Sequence, residues 1–292
     1  GETVRIFTGA PVPQGAEPIL VQEDAEAADG YVTPKAAVPA GKHIRAAGAD
    51  FAAGQVLLKA GQRLGVAELA LAAAMNHAML PVARKPLVAI LATGDELVRP
   101  GGECGPDQIV ASNGYAAAAQ VEAAGGLALD LGIARDDHAA LERAIRKARK
   151  AEADVLVTLG GASVGDHDLV KQALANEGME LGFWRIAMRP GKPLIHGRIG
   201  AMSILGLPGN PVSSIVCGML YLQPLVRALC GDPNAGDLPF EAATLGRDLP
   251  ANDMREDYLR AALGPGDGLP VASPCDSQDS SLLSVLSAAD CL

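Results

Sequence analysis

Between residues 87 and 232, short unbroken apolar runs alternate with longer segments whose apolar positions recur at helical spacing. The runs at 87–91, 127–133 and 154–159 read as buried strands, and those at 183–188, 194–196 and 202–205 as shorter ones. Ser112 or Asn113 starts a helix through Ala124, where Gly125 and Gly126 stop it, and Asp136 or Asp137 starts another to about Lys150. A third helix follows the glycine loop beyond Leu159 to about Glu177, and Pro211 opens a last apolar helix ending near Cys230. This alternation predicts a three-layer α/β domain over residues 85–233, with a mostly parallel sheet covered on both faces. The pattern changes on either side. Residues 1–47, with strand-like runs at 4–7, 18–22 and 31–33, predict a β-rich unit. Val66, Leu69, Leu71 and Met75 mark a helical pattern within 52–82, so 48–84 reads as part of a helical domain, and 234–292 reads as a smaller β-rich unit.

Composition narrows the function. The 292 residues are 49% apolar but only 3% aromatic, which suits tightly packed α/β layers rather than a β-sandwich. A formal charge of −10 argues against non-specific nucleic-acid binding and anionic-membrane attachment, so an anionic ligand would need locally gathered cations. The five cysteines are scattered without a Cys-x-x-Cys pair, which points to a reducing, cytoplasmic setting rather than a disulfide frame or zinc site. The apolar stretch 66–80 is broken by Glu68, Asn76 and His77 and is too short to span a bilayer. The chain starts at Gly1 and enters a strand-like run at once, so an N-terminal portion is expected to be missing ahead of it.

Ligands of a parallel α/β sheet sit at the carboxyl ends of its strands, and four notable loops fall there. Thr93-Gly94-Asp95-Glu96 sets two carboxylates at a strand end, where they either cap a helix or contact a metal or ligand. Asp136 and Asp137 carry the same alternative. Gly160-Gly161-Ala162-Ser163-Val164-Gly165-Asp166-His167-Asp168 combines glycines, whose N–H groups can converge on an anion, with acids able to hold a divalent cation. His167 reads as a surface residue. Leu207-Pro208-Gly209-Asn210-Pro211 opens the last helix and leaves N–H groups directed outward. Arg185, Arg189 and Lys192 supply the local cations: the arginines share strand parity and Lys192 follows in a proline-stiffened turn. The bland reading of this stretch is a solvated edge strand.

Five strings in register resemble the molybdopterin molybdenumtransferase family, comprising MoeA, the gephyrin E-domain and their plant relatives. They are Arg5-Ile6-Phe7-Thr8-Gly9-Ala10-Pro11-Val12-Pro13, Thr93-Gly94-Asp95-Glu96-Leu97, the Gly160–Asp166 glycine loop, Arg189-Pro190-Gly191-Lys192-Pro193 and Gly206-Leu207-Pro208-Gly209-Asn210-Pro211. The resemblance implies a central molybdopterin-binding-type domain and insertion of molybdenum from molybdate into adenylylated molybdopterin, releasing AMP with Mg2+ as cofactor. It implies an elongated homodimer in which Thr8 and Asp50 reach the partner's cleft, and contacts with the molybdopterin adenylyltransferase and with molybdoenzymes.

By the same resemblance, Glu96, Asp136 and Asp168 serve catalysis and the metal, and Arg185, Arg189 and Lys192 form the basic cluster. Substrate contacts fall on Thr93, Gly94, Asp95, Ser112, Asn113, Gly160, Gly161, Ser163, Gly165, Pro208, Gly209 and Asn210, and molybdate contacts on Lys192, Ser213, Arg255 and Ser280. Asp279, beside Ser280, places negative charge near that site, and Arg189 stands where the family more commonly has lysine. Three other readings compete. A molybdopterin adenylyltransferase shares the central fold but lacks the β-rich flanks, a hydrolase on this fold carries a different string after its glycines, and a dimeric scaffold would need no chemistry.

Overall fold

A computed structural model describes residues 2–161 and 169–292. The chain divides into two compact units, residues 1–60 and 61–292. The first holds a two-stranded hairpin, Ala25–Ala28 with Tyr31–Pro34, and a single 3₁₀ turn at Gln22–Asp24. Asp29 and Gly30 both adopt positive φ at the hairpin tip, as the right-handed twist of the strands requires. The expected strands at 4–7 and 18–22 do not form, and none of residues 2–60 is buried. With no apolar face to cover, local alternation lacks the packing that would turn it into a sheet.

The second unit is built on a six-stranded sheet. Its strands are β1 (Leu87–Thr93), β2 (Leu127–Ala134), β3 (Val155–Leu159), β4 (Glu180–Arg185), β5 (Pro193–Ile199) and β6 (Met202–Leu207). Their spatial order is β2-β1-β3-β6-β5-β4. The first four are mutually parallel and the β5 hairpin partners are antiparallel, which is the mostly parallel sheet that the alternation predicted. Four helices cover it: α1 (Asn113–Ala123), α2 (His138–Lys150), α3 (Leu169–Asn176) and α4 (Pro211–Leu229).

Side chains alternate between two cores. Val88, Ile90, Val155 and Val157 pack with Val121, Val212 and Val226 of α1 and α4 on one face. Ala89, Leu91 and Leu156 pack with Leu141, Ile145 and Leu174 of α2 and α3 on the other. Burial on both sides is why these strands read as continuous apolar runs. Helix α4 is long and apolar enough to cross a membrane, but Val212, Val216, Leu222 and Val226 place it in the core of this unit.

Elsewhere the expected helical segment shortens to Val66–Ala74, and the run expected at 183–188 divides. Its end, Met188–Arg189, leaves the sheet to pair in parallel with Glu256–Asp257. The C-terminal part forms a three-stranded sheet of Thr244–Leu245, Val271–Pro274 and Ala261–Gly264, followed by a helix at Leu283–Ala288.

Asp154 fastens the start of the sheet. Its carboxylate accepts both Arg84 guanidinium nitrogens at 2.7 and 2.8 Å and the Leu87 N–H at 2.7 Å. The Arg84 hydrogen bonds hold the Asp154 carboxyl below its ordinary value, against a smaller upward push from burial. A depressed carboxyl stabilises the fold above its unfolded-state pKa and loses that contribution as pH falls through the folded value. Asp154→Asn is therefore expected to cost about 1–2 kcal/mol at neutral pH, the scale of hydrogen bonds to a charged group discounted for the exposed Arg84. In denaturant titrations the deficit should begin to shrink as pH falls below about 4 and be lost only below the folded-state pKa of Asp154; a deficit that does not shrink over that fall contradicts the charge-based account.

Candidate active site

The carboxyl ends of β2, β1, β3 and β6 lie side by side in that order along one sheet edge. Each ends in a loop that the apolar core cannot absorb. After β1, Gly94 takes φ 145° and donates its N–H to the Ala134 carbonyl at the end of β2, 3.3 Å away. The Glu96 carboxylate folds over the space where a Gly94 side chain would stand, with its oxygens 2.5–2.8 Å from that position. No helix follows; Leu97–Val98 pairs with Ile109–Val110 instead, so Asp95 and Glu96 do not cap one.

After β2, Asp137 is the cap, accepting the Ala140 N–H at 2.8 Å, while the Asp136 N–H donates to Asp95 Oδ1 at 3.4 Å. Asp136 is thus released from capping and faces Asp95 and Glu96. Partial burial first, then repulsion from Asp95 and, more weakly, Glu96 push its carboxyl above the ordinary value.

After β3 the chain packs tightly against β1 and β6. Gly160 and Gly161 take φ 88° and 67°, and Gly160 donates to the Leu207 carbonyl at 3.2 Å. A side chain on Gly160 would come within 3.0 Å of the Thr93 carbonyl, and one on Gly161 would run into Val170 of α3. Thr93 itself is buried, its hydroxyl 3.5 Å from the Leu159 carbonyl. Ser163, Gly165 and Asp168 lie outside the described residues.

At the tip of β6, Asn113 donates from Nδ2 to the Gly209 carbonyl at 2.8 Å, so the first residue of α1 bridges to the loop opening α4. Ser112 occupies the cap position without a capping hydrogen bond. Asn210 donates to the Ser280 hydroxyl at 2.7 Å, the Val212 N–H donates to the Ser280 carbonyl at 3.0 Å, and Ser213 is buried beside them. Pro208 is buried, whereas Gly209 and Asn210 are exposed.

The cations are arranged differently from the expected patch. Arg185 ends β4 and stacks over Trp184 at 3.8 Å, whereas Arg189 belongs to the separate strand beside Glu256–Asp257; shared strand parity does not hold. Arg189 Nε meets Asp257 at 2.9 Å and Arg255 Nη2 meets Asp253 at 2.7 Å, so both arginines already carry a carboxylate. Arg255 holds the Asp253 carboxyl down to about 2. Lys192 is exposed at the turn into β5, where its carbonyl accepts the Ile186 N–H at 3.1 Å. Thr8 and Asp50 are exposed residues of the first unit.

Among the described residues no set of three His, Cys, Asp or Glu side chains is arranged to hold a metal ion. The donor chemistry still suits Mg2+, which takes one or two carboxylates and fills its remaining positions with water and substrate phosphate oxygens. Asp95, Glu96 and Asp136 offer that, and the repulsion felt by Asp136 is the charge a cation would relieve. A separate cavity of about 310 Å³, lined by Leu91, Arg135, Asp137 and Arg143 among others, lies between β2 and α2 and contains none of these three acids.

Sequence patterns missed Asp257 and Asp253 as partners of the arginines, and the Asn113–Gly209 and Asn210–Ser280 bridges. Three of these pairs are 68, 96 and 70 residues apart, which no periodicity marks, and Arg255–Asp253, two residues apart, is a local turn contact that the sequence reading did not consider.

Comparison with known proteins gives a consistent result. Residues 89–228 match the family model described as "Probable molybdopterin binding domain", residues 1–76 the MoeA N-terminal region (domain I and II), and residues 242–292 the MoeA C-terminal region (domain IV). The chain is 38% identical over 272 residues to a molybdopterin molybdenumtransferase of Nostoc sp., covering 92% of this chain and 62% of that protein. It is 33% identical over 293 residues to the Bacillus subtilis enzyme of the same name, covering 99% and 67%. A solved structure of a molybdopterin biosynthesis MoeA protein from Pyrococcus horikosii superposes with a TM-score of 0.77 at 32% identity, covering 97% of this chain and 68% of that one. The chain therefore spans about two thirds of the length of the relatives it matches.

Removing charge from the carboxylate cluster should not harm the fold. A carboxyl whose folded-state pKa is raised disfavours folding when ionised, so at neutral pH Asp136→Asn is expected to leave the thermal midpoint unchanged or higher. A midpoint lowered by more than about 3 °C would show that Asp136 is a structural acceptor.

Proposed function

Because the chain belongs to the molybdopterin molybdenumtransferase (MoeA) family, we propose that it inserts molybdenum from molybdate into adenylylated molybdopterin, releasing AMP. The observation that carries this reading is the single edge on which the Asp95–Glu96–Asp136 carboxylates, the Gly160–Gly161 backbone and the Asn210–Ser280 contact are set out in order. Such an edge suits a substrate with a phosphoric anhydride at one end and an oxyanion acceptor at the other.

Each residue has a defined task in the proposal. The Gly160 and Gly161 backbone lies against the phosphates, which glycine permits by allowing close approach. Thr93, Gly94, Ser112, Asn113, Pro208, Gly209 and Asn210 line the substrate. Attack of a water oxygen on the pterin-side phosphorus forms the new P–O bond as the anhydride P–O bond breaks, leaving its electron pair and negative charge on the AMP phosphate, and positioned cations favour that outcome. Bound Mg2+, held by Glu96 and Asp136 together with Asp168, would supply Lewis-acid stabilisation of the anhydride oxygens. Lys192, Ser213 and Ser280 hold molybdate as a tetrahedral dianion. Arg189 and Arg255 join them by sharing guanidinium donors between their carboxylates and the oxyanion, and Arg185 by its charge. No protein nucleophile is required; burial drives the Cys217 thiol up to about 12, out of reach of thiolate chemistry. In a cytoplasmic homodimer, Thr8 and Asp50 would serve the site of the partner subunit.

Full-length protein given adenylylated molybdopterin and Mg2+ is expected to release AMP in a molybdate-dependent manner; release at an equal rate without molybdate overturns the transferase reading. Lys192→Ala should raise the molybdate KM about tenfold, the equivalent of ~1.4 kcal/mol, while the pterin-nucleotide KM moves less than about twofold. Equal loss of both refutes the oxyanion role.

A further inference from the structure

Helix α2 concentrates cations in a chain that is otherwise acidic. Five of its thirteen residues are arginine or lysine and one is glutamate, against a net charge of −10 for the whole protein. Those cations fall on two stripes. Arg146 and Arg149 turn toward α3 and share the Glu177 carboxylate, which fastens one helix to the other. Arg143, Lys147 and Lys150 recur at i, i+4 and i+7 on a different stripe, all exposed and, among the described residues, without a carboxylate partner.

Beside this second stripe the sheet leaves a gap. Ile90 pairs with Asp130 and Leu91 with Gly132, so Leu131 is the extra residue of a bulge in β2, and Gly132 takes φ 90°. Opposite the bulge, α2 presents the short side chains of Ala140 and Ala144. Between them lies the cavity of about 310 Å³, with Leu91, Leu131 and Ile133 in its apolar wall and Arg135 and Arg143 as its cations. Asp137 also lines it, but its carboxylate is committed to the Ala140 N–H. Arg135, like Arg143, has no carboxylate partner among the described residues, whereas the nearby Arg99 is matched with Asp130 and Arg84 with Asp154. An apolar socket beside unmatched cations, continued by two more along about 10 Å of helix, is a surface that folding itself leaves unused.

We propose that the β2–α2 cavity and the Arg143–Lys147–Lys150 stripe form a docking surface for an acidic segment of a partner protein. The segment inserts one large apolar side chain between β2 and α2 and lays successive carboxylates along the helix. A small anion would meet Arg135 and Arg143 without spanning to Lys150. A nucleic acid would satisfy the cations but leave the socket empty, and the acidic remainder of the molecule would repel so long a polyanion. None of the residues assigned above to transferase chemistry takes part, so this surface stands or falls separately from that reading.

The test is fluorescence anisotropy of the full-length protein with a dye-labelled synthetic peptide carrying one central leucine flanked by glutamates. Two companion peptides replace the leucine by asparagine or the glutamates by glutamine. The leucine peptide should bind saturably, and each companion should bind about tenfold more weakly. Arg143→Glu and Lys147→Glu should each weaken the leucine peptide about tenfold, with a smaller loss at high salt. Ala144→Leu fills the cavity, so it should erase the difference between the leucine and asparagine peptides while keeping the dependence on glutamate. If Ala144→Leu does not fold, Ala140→Met makes the same comparison from the other end of the cavity. Absence of saturable binding up to about 1 mM peptide, or equal affinity of wild-type protein for the leucine and asparagine peptides, overturns the proposal. Tighter binding of a single-stranded oligonucleotide through Arg143 also overturns it. So does loss of a wild-type dimer in Arg143→Glu, which would assign this face to a contact between copies of the chain.

Discussion

Burial of the central strands on both faces constrains everything else in this molecule. β1, β3 and β6 have almost no exposed side chain along their length. Polar chemistry cannot be carried on such strands without desolvation that the core does not repay. It is displaced to the strand ends, and because β2, β1, β3 and β6 run parallel, all four ends arrive at the same edge. Close packing then requires glycine where neighbouring loops cross: Gly160 sits against Thr93 on one side and within van der Waals reach of Gly209 on the other. The site is a consequence of the packing rule rather than an addition to it.

Charge along that edge is segregated. At the β2–β1 end the carboxylates are crowded and, among the described residues, without an ion-pair partner, which costs the fold some stability and leaves a place for a cation or for donors on a ligand. At the other end the arginines are already matched, Arg189 with Asp257 and Arg255 with Asp253. Pairing restrains two flexible guanidinium groups in advance, so less conformational entropy would be lost on taking up the oxyanion proposed for this end. It also moderates the attraction, since each arginine brings a neutralising partner. In a protein with a net charge of −10, such shared arginines favour directional contact over long-range steering.

Much of this was legible in the sequence, for physical reasons that also mark where legibility stopped. The alternation of apolar runs and helical segments revealed the α/β core because burial dictates residue type at each position, as in 155–159. Pro211 and Gly125 were dependable punctuation because their backbone constraints are local. The first unit was misread where runs such as 18–22 have strand-like composition but no face to bury, so composition alone did not decide. The choice between Asp136 and Asp137 as cap could not be made from the sequence, since either side chain can accept an N–H; the structure gives the role to Asp137 and frees Asp136. The expected shared strand parity of Arg185 and Arg189 failed because the chain leaves the sheet after Arg185 and Met188–Arg189 pairs instead with Glu256–Asp257, about 70 residues later.

Helix α4 is the reference against which the proposed oxyanion end of the edge is aligned. Its first turn carries buried Ser213, its Val212 N–H holds Ser280, and Asn210 just ahead of it holds the Ser280 hydroxyl. About one turn after Ser213, Cys217 is fully buried against Gly191, where a side chain would collide with its sulfur, and Met188 closes the same contact. Gly191 takes φ 115°, so both its conformation and its lack of a side chain are needed for the turn to lie on the helix. That seating fixes the backbone from which Lys192 projects. A single rigid helix therefore sets the origin of Ser213, Ser280 and Lys192, three residues drawn from different parts of the chain. Placing them on one packed element avoids relying on three independent loops, whose separate motions would blur the geometry that directional recognition of an oxyanion demands.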